Sequence, residues 1–500
     1  MLALMAIGAR GQQSAVAPQG EGSDLKAQIS ALRAQLQSLE ARLDELERAV
    51  APAPAAKPTA APTAPRVAAK AAPEAPAASG SDEPFSFADF SWLNGNSRVT
   101  QSPLETPYFS GEFRADTSYI YDFKRPQDDT LVGTAESGRT QEVQVQQLGV
   151  GGDFHYHHAR GRLMTQFGMY STMTPRSDAT PGRGQWALSD AYRYLSEAYG
   201  GYHFDIMHGV NVDAGIFMSY IGLFSYYNFD NWAYQPSYVS SNTPWFFNGL
   251  RIQTFPTDRL KIELWLINGW QSYGRANGRP GLGTQIQWRP KGSVSIVSNE
   301  YGVGADTLGV PGRTRWHSDD SIQVKYYEAP DNFLDRAAFS LTGDAGCETG
   351  GGVACFGGGG RVPKQYFIGA MAYNRFWLHR DRYGVTLGGG WINNPGRYLV
   401  LLPPINGATV FSGTPYFTEN PGDPFHAWDT SATFDYMPKQ YVTFRWEFDH
   451  RGASVSYFAG KGGVTPPGGN VGAPGSLVSG WSPDLVKAEN RLNLALLVMF

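Results

Sequence analysis

From about residue 105 to the C-terminus the chain repeats one pattern, short segments in which apolar and polar side chains alternate with a period of two. In GEFRADTSYIYDF, Phe113, Ala115, Thr117, Tyr119, Tyr121 and Phe123 fall on one face, and Glu112, Arg114, Asp116, Ser118 and Asp122 on the other. RGRLMTQFGMY sets Leu163, Thr165, Phe167 and Met169 against Arg160, Arg162 and Gln166. QYVTFRWEFDH sets Val442, Phe444, Trp446 and Phe448 against Thr443, Arg445, Glu447 and Asp449. Further segments begin near Gln141, Tyr192, Val210, Trp245, Leu260, Thr284, Ser293, Ser321, Asp335, Lys364, Tyr383, His426 and Asp484, about sixteen in all. Short links (HHAR at 158, DIMHG at 205, FPTDR at 255, RPKG at 289, APDN at 329, LHRD at 378, MPKQ at 437) alternate with long Gly/Pro/Asn-rich ones. That rhythm predicts an all-β fold, a transmembrane antiparallel β-barrel with tight turns at one end and long loops at the other.

A soluble sandwich also alternates, but it buries its apolar faces in one core about two side chains thick. Here so many apolar faces, ending in aromatic residues such as Trp428, Phe434 and Tyr436, call for an apolar medium outside the protein. Charged residues make up 17% of the chain against roughly 25% in ordinary globular proteins, which fits a wall with only one wet face. The formal charge of -4 excludes charge-driven binding of nucleic acid. No stretch approaches the roughly 18 uninterrupted apolar residues of a membrane helix.

Ahead of the barrel lie three different segments. Residues 1–17 open on MLALMAIGA and reach Ala15-Val16-Ala17, like a signal peptide, although Arg10 interrupts the usual order. Over 24–50, Leu25, Ile29, Leu32, Leu36, Leu39, Leu43, Leu46 and Val50 are spaced alternately four and three, the seam of a coiled coil expected in the periplasm. Residues 51–84 are an Ala/Pro-rich linker, too poor in large apolar side chains to form a core. The barrel is assigned to 105–500, and its last strand, RLNLALLVMF, puts Leu492, Leu494, Leu496, Val498 and Phe500 on one face. A terminal Phe500 on such a strand looks like the signal read by the barrel assembly machinery.

Residues 193–290 carry a closer likeness. LSEAYGGYHF, VNVDAGIFMSYIGLFSYYNFDN, PWFFNGLRIQTFPTDRLKIELWLINGW and LGTQIQWRP, with Gly249, Arg251 and Asn268-Gly269-Trp270, follow strand, aromatic loop, strand, turn, strand and strand. In this order the chain resembles the OmpL-like putative β-barrel porin family of Gram-negative bacteria. The resemblance implies an outer-membrane pore, supplies no substrate, and leaves the coil and linker outside it.

Residues able to do chemistry are sparse. His155 and His157 share the lumen phase beside Asp153, with His158 next to them, but nearby Arg160 and Arg162 repel a cation, so no metal is assigned. Asp319-Asp320 reads as solvated acids at a loop–strand junction. Cys347 and Cys355 flank ETGGGVA in a long loop, where a disulfide suits an oxidising compartment. No nucleophile elbow, phosphate loop or zinc-binding helix motif occurs, and neither an enzymatic role nor a cofactor is expected.

The functional expectation is a porin passing small hydrophilic solutes by passive diffusion. Its pore-lining and constriction residues are assigned as Arg114, Asp116, Arg160, Arg162, Tyr226, Tyr227, Asn228, Asp230, Asn231, Trp232, Arg251, Arg445, Glu447 and Arg491, with the stretch 224–245 folding inward. Lumen-phase charges of both signs nearly balance, which predicts weak selectivity. Expected partners are outer-membrane lipid, the assembly machinery, two further copies in a homotrimer, and the cell wall for the coil. The alternative is an envelope tether in which the coil engages the wall and the barrel is mainly an anchor.

Overall fold

The computed structural model describes residues 83–500 except positions 101, 182, 360 and 419, together with the helical positions Ser30, Ala34, Gln37, Ala41 and Arg42. The chain divides into two units, 1–75 and 76–500. In the first, those five helical residues are exposed and occupy heptad positions other than the seam. The seam residues Leu25 to Val50, the leader 1–17 and nearly all of the linker lie outside the described residues.

The second unit is a closed antiparallel barrel of sixteen long strands. They are β1 (Phe109–Asp122), β2 (Val143–Tyr156), β3 (Ala159–Thr165), β4 (Leu195–Phe204), β5 (Val210–Met218), β6 (Phe246–Thr257), β7 (Leu260–Ile267) and β8 (Gly281–Lys291). The second half comprises β9 (Val294–Gly302), β10 (Thr314–Glu328), β11 (Leu334–Thr349), β12 (Tyr366–Leu378), β13 (Tyr383–Asn394), β14 (Phe425–Lys439), β15 (Val442–Ala453) and β16 (Ala488–Met499). Each strand pairs with the next, and β16 pairs with β1 from Arg491↔Asp122 to Met499↔Arg114, which removes the sheet edge. Seven links of two to five residues lie at one end, and eight of eleven to thirty-four residues at the other. All seven short links coincide with the sequence motifs.

Register fixes the two faces. Along β15, Phe444, Trp446 and Phe448 are well exposed while Thr443, Arg445, Glu447 and Asp449 are buried toward the lumen. Arg491, which faces inward from β16, is fully buried, and its strand neighbours Leu492 and Leu494 point outward beside Phe448 and Trp446. One boundary departs from the sequence reading. Strand β10 starts at Thr314, not near Ser321, so Asp319 and Asp320 sit within the wall and not at a loop junction. The run TRWHSDDS has polar side chains in both phases there, which hides the alternation. Asp319 points inward and is wholly buried; Asp320 points outward and is exposed.

The barrel interior is not an open tube. The link 219–245, between β5 and β6, turns inside and packs Phe224, Tyr226, Trp232 and Tyr238 against inward residues such as Phe367, Tyr373 and Trp377. Small inward residues make the room: a Cβ on Gly283 would come 1.8 Å from the Tyr220 hydroxyl.

Candidate functional site

The wall's acidic side chains explain why the 219–245 loop folds inward. A loop crossing a barrel must find partners for its backbone N–H groups, because water reaches few of them. Glu447 on β15 accepts from the N–H of Tyr234 and of Gln235, and Asp429 on β14 accepts from the N–H of Tyr238 and the Ser237 hydroxyl. Asp116 on β1 takes the Asn228 amide and the Tyr234 hydroxyl, both at 2.9 Å. Arginines hold the other polarity. Arg445 donates to the carbonyls of Asn228 and Asn231, Arg491 to the Gln235 amide oxygen, and Arg114 to the Asp230 carboxylate at 2.9 Å. Burial pushes the Asp230 carboxyl up, against the opposing pull of Arg114.

The expected lumen residues therefore form two groups. Tyr226, Tyr227, Asn228, Asp230, Asn231 and Trp232 are all inside the barrel and buried, and Arg114, Asp116, Arg445, Glu447 and Arg491 meet them there. Arg160, Arg162 and Arg251 lie apart, on β3 and β6, where Arg162 joins Glu112, Asp153 and Glu197 at 2.7 to 2.9 Å and Arg251 and Arg160 share Asp213. Arg114, Asp116, Glu447 and Arg491 each bond the loop and do not border the cavities described below.

A second segment, absent from the sequence reading, enters from the short-turn end. Residues 83–100 cross that mouth, with the Phe85 N–H donating to Asp258 O and the Trp92 indole to Gly292 O, both in turns. Arg289 lies over the rings of Phe85 and Phe90, at 4.5 and 4.4 Å. Trp92 is wholly buried, and Asn94, Gly95 and Asn96 reach the inward loop. Trp232 donates its indole N–H to Trp92 O and its backbone N–H to Asn94 Oδ1, and the Gly95 N–H donates to Asp230 O. Gly95 has φ +80, and a Cβ there would stand 2.6 Å from Leu223 O, so only glycine suits this crossing. The sequence did carry a signal, the change from Ala/Pro to FSFADFSWLNGN immediately after the linker.

Loop and segment partition the lumen. A cavity of about 330 Å³ lies on one side of the segment, lined by Arg251, Lys261 and Arg289 against Glu197 and Glu263. Another of about 380 Å³ lies on the other side, with Leu93 and Asn96 bordering both. Its cations are Arg98, Arg336, Arg375, Arg380, Lys439 and Arg445, and its acids Asp89, Asp230 and Asp381. A third, of about 320 Å³, opens among the long loops and carries Arg176, Arg313, Arg315 and Arg397 against Asp306 and Glu348. Cations outnumber acids in all three, although lumen-phase charges taken along the strands nearly balance.

The remaining candidates are easily placed. His155 is exposed, His157 sits in the turn with φ 54, and His158 and His203 flank Asp205 at 3.9 and 3.3 Å. Among the described residues no group of three or more His, Cys, Asp or Glu is arranged to hold a metal ion. Cys347, at the end of β11, and Cys355 are joined in a disulfide. Phe500 stacks on Phe113 across the β16–β1 seam, with ring centroids 5.0 Å apart.

The family model described as Putative beta-barrel porin-2, OmpL-like, matches residues 114–471. Among solved structures, the chain is similar to OmpT of Vibrio cholerae, at 8% identity and TM-score 0.44 over 79% of this chain and 99% of that one. It is similar to the outer-membrane channel DcaP of Acinetobacter baumannii, at 12% identity and TM-score 0.43 over 82% and 100%. The anion-selective porin from Comamonas acidovorans aligns at 10% identity and TM-score 0.44 over 78% and 99%. No curated protein matches it in sequence.

Proposed function

Because the chain belongs to the OmpL-like putative β-barrel porin family, we propose that it is an outer-membrane pore through which small hydrophilic solutes diffuse passively, with no catalytic step. The observation that carries this reading is the closed barrel whose interior holds polar, charged cavities between an inward loop and the wall. Selectivity is weak and leans toward anions, because the cavities hold more cations than acids, while the wall acids Glu447, Asp429 and Asp116 are occupied with the loop. On this reading the short-turn end is periplasmic, and so is the coil expected over 24–50. Single-channel recording of the purified protein tests the reading: discrete open steps in potassium chloride support it, and a silent bilayer defeats it.

The envelope tether is the second reading, favoured by one fact: the segment 83–100 and the loop 219–245 together occupy much of the lumen. On that reading the coil engages the cell wall, and the barrel anchors it without conducting.

Assembly as a homotrimer is supported by the outer wall. Glu300 on β9 and Asp320 on β10 face outward between Trp316 and Ile322, joined through the Ser318 hydroxyl at 2.8 and 3.2 Å, with Gly343 and Ala345 alongside. Outward charges in an apolar band cost up to a few kcal/mol in lipid. We assign this patch to contact with a neighbouring protomer. Changing Glu300→Leu with Asp320→Leu should weaken the oligomer measured in detergent; an unchanged oligomer would place the patch against lipid. Leu36→Asp with Leu43→Asp should loosen it further through the coil and leave the barrels folded.

A further inference from the structure

The cavity of about 380 Å³ holds a cation whose partners are missing. Arg98, in the segment that enters from the short-turn end, donates from Nη2 to Val442 O at 2.9 Å and lays its guanidinium 4.3 Å from the centre of the Phe229 ring. Its Nε is buried with no acceptor, and no carboxylate lies within ion-pair distance of it among the described residues. The nearby acids are taken. Asp435 is shared by Arg375 and Arg445, and Asp230 is paired with Arg114. Arg380 and Lys439 border the same cavity without an ion-pair partner among the described residues, whereas Arg336 there is paired with Asp381.

A buried charged donor without an acceptor is destabilising, and a bound counter-ion offsets that cost. Burial, aided by Arg375 and Arg445 and opposed by Asp435 and Asp230, pulls the Arg98 guanidinium down to about 9. The Arg98 Nη1 group carries no hydrogen bond among the described residues, and a planar guanidinium matches an oxygen anion in a way a single chloride does not. We propose that this cavity binds a small oxyanion, a carboxylate or phosphate, on Arg98, with Lys439 and Arg380 drawing it in from the rim. Arg98 belongs to the segment while Lys439, Arg375 and Arg445 belong to the wall, so the site is complete only while the segment is seated. Bound anion therefore stabilises the seated segment, by linkage.

The proposal rests on the pore reading for its biological sense but is tested apart from it. Calorimetric titration of the full chain in detergent with inorganic phosphate, and separately with acetate, should give saturable binding that chloride at equal ionic strength does not reproduce. Arg98→Gln should weaken phosphate binding by about tenfold or more. Phosphate should also slow protease cleavage within 83–100 in the wild type and not in the variant. Absence of saturable oxyanion binding to the wild type, or equal affinity in Arg98→Gln with the heat-modifiable mobility of a folded barrel, would overturn it. Should Arg98→Gln fail to fold, the paired rim variant Arg380→Gln with Lys439→Gln must still weaken binding, or the site is wrong. A silent bilayer together with phosphate binding sinks the pore and spares the site; open channels without binding do the reverse.

Discussion

Two segments enter the barrel from opposite ends and meet at Trp232, yet they are held by different chemistry. The loop 219–245 is tied to strands at both ends and fastened by wall carboxylates: Glu447 and Asp429 accept its backbone N–H groups, and Asp116 accepts the Asn228 amide and the Tyr234 hydroxyl. The segment 83–100 leads into β1 at its C-terminal end and is hydrogen-bonded to the 258–259 turn at Phe85. It is held by buried Trp92, by aromatic rings under Arg289 and by a handful of bonds to backbone and amide groups. Charged acceptors aimed at fixed N–H groups make a permanent part of the lumen, and their removal leaves buried donors unpaired. Aromatic packing and a few neutral bonds make a part that can leave while the wall carboxylates keep their partners in the loop.

The sharpest way to break this contrast is to delete the loop. Removing 226–236 should raise single-channel conductance most, since it takes away the loop's aromatic barrier and its contacts with Trp92 and Asn94. Unchanged conductance would mean the loop does not obstruct the passage. A point change tests the fastening: Glu447→Ala leaves the Tyr234 and Gln235 N–H groups without their acceptor, and at about 1–3 kcal/mol each the barrel should unfold at clearly lower temperature. Glu447→Gln keeps one acceptor oxygen and should recover part of the loss.

Trp92→Ala should lie next in size. Loss of a buried indole is worth about 3–5 kcal/mol, here drawn from seating of the segment and not from the barrel itself. Cleavage within 83–100 should accelerate and conductance rise, with barrel unfolding temperature little changed. A fall in unfolding temperature as large as that of Glu447→Ala would erase the distinction between the two segments.

The same contrast explains what could be seen in the sequence. The wall was legible because a period of two cannot place Arg445, Glu447 and Asp449 on one side and Phe444, Trp446 and Phe448 on the other without two solvents. The inward loop was legible because Tyr226 to Trp232 concentrate stacking and hydrogen-bonding groups between two strands. What those wall charges do was not. Asp116 and Glu447 alternate like pore-lining acids, and only the fold shows that they are occupied by the loop's N–H groups. The segment 83–100 has no period and borders a linker, so its role depends on contacts such as Trp92 with Gly292, 200 residues apart. Strand β10 was misjudged at its start because Ser318 and Asp320 put polar side chains on the outer face as well.

A modest effect should appear in the sign of the current. In a potassium chloride gradient the reversal potential should lie a little toward chloride, since cations exceed acids in each cavity. A potential on the potassium side would mean that acids outside these cavities control the passage.

The smallest effect separates the two segments by pH. The Arg98 guanidinium, held down to about 9, loses its proton on the seated segment well before it would on an unfolded one. Because the seated form binds fewer protons above that point, seating gains stability as pH rises from about 9 toward the ordinary guanidinium range. Below it Arg98 is charged in both forms, and this gain is absent. Anion affinity runs the opposite way, since the charge that binds the oxyanion is lost through the same interval. Protease cleavage within 83–100, measured without phosphate between pH 8 and pH 10 after correction for the protease's own pH profile, should therefore slow slightly as pH rises. Phosphate protection should fade over the same range. Lys439 and Arg380 face the same cavity, so a Lys439→Gln variant is needed to assign the change to Arg98. The loop has no such group facing a cavity without a carboxylate partner, and cleavage within 226–236 should stay slow across the whole range; acceleration there would mean that the loop and the segment loosen together.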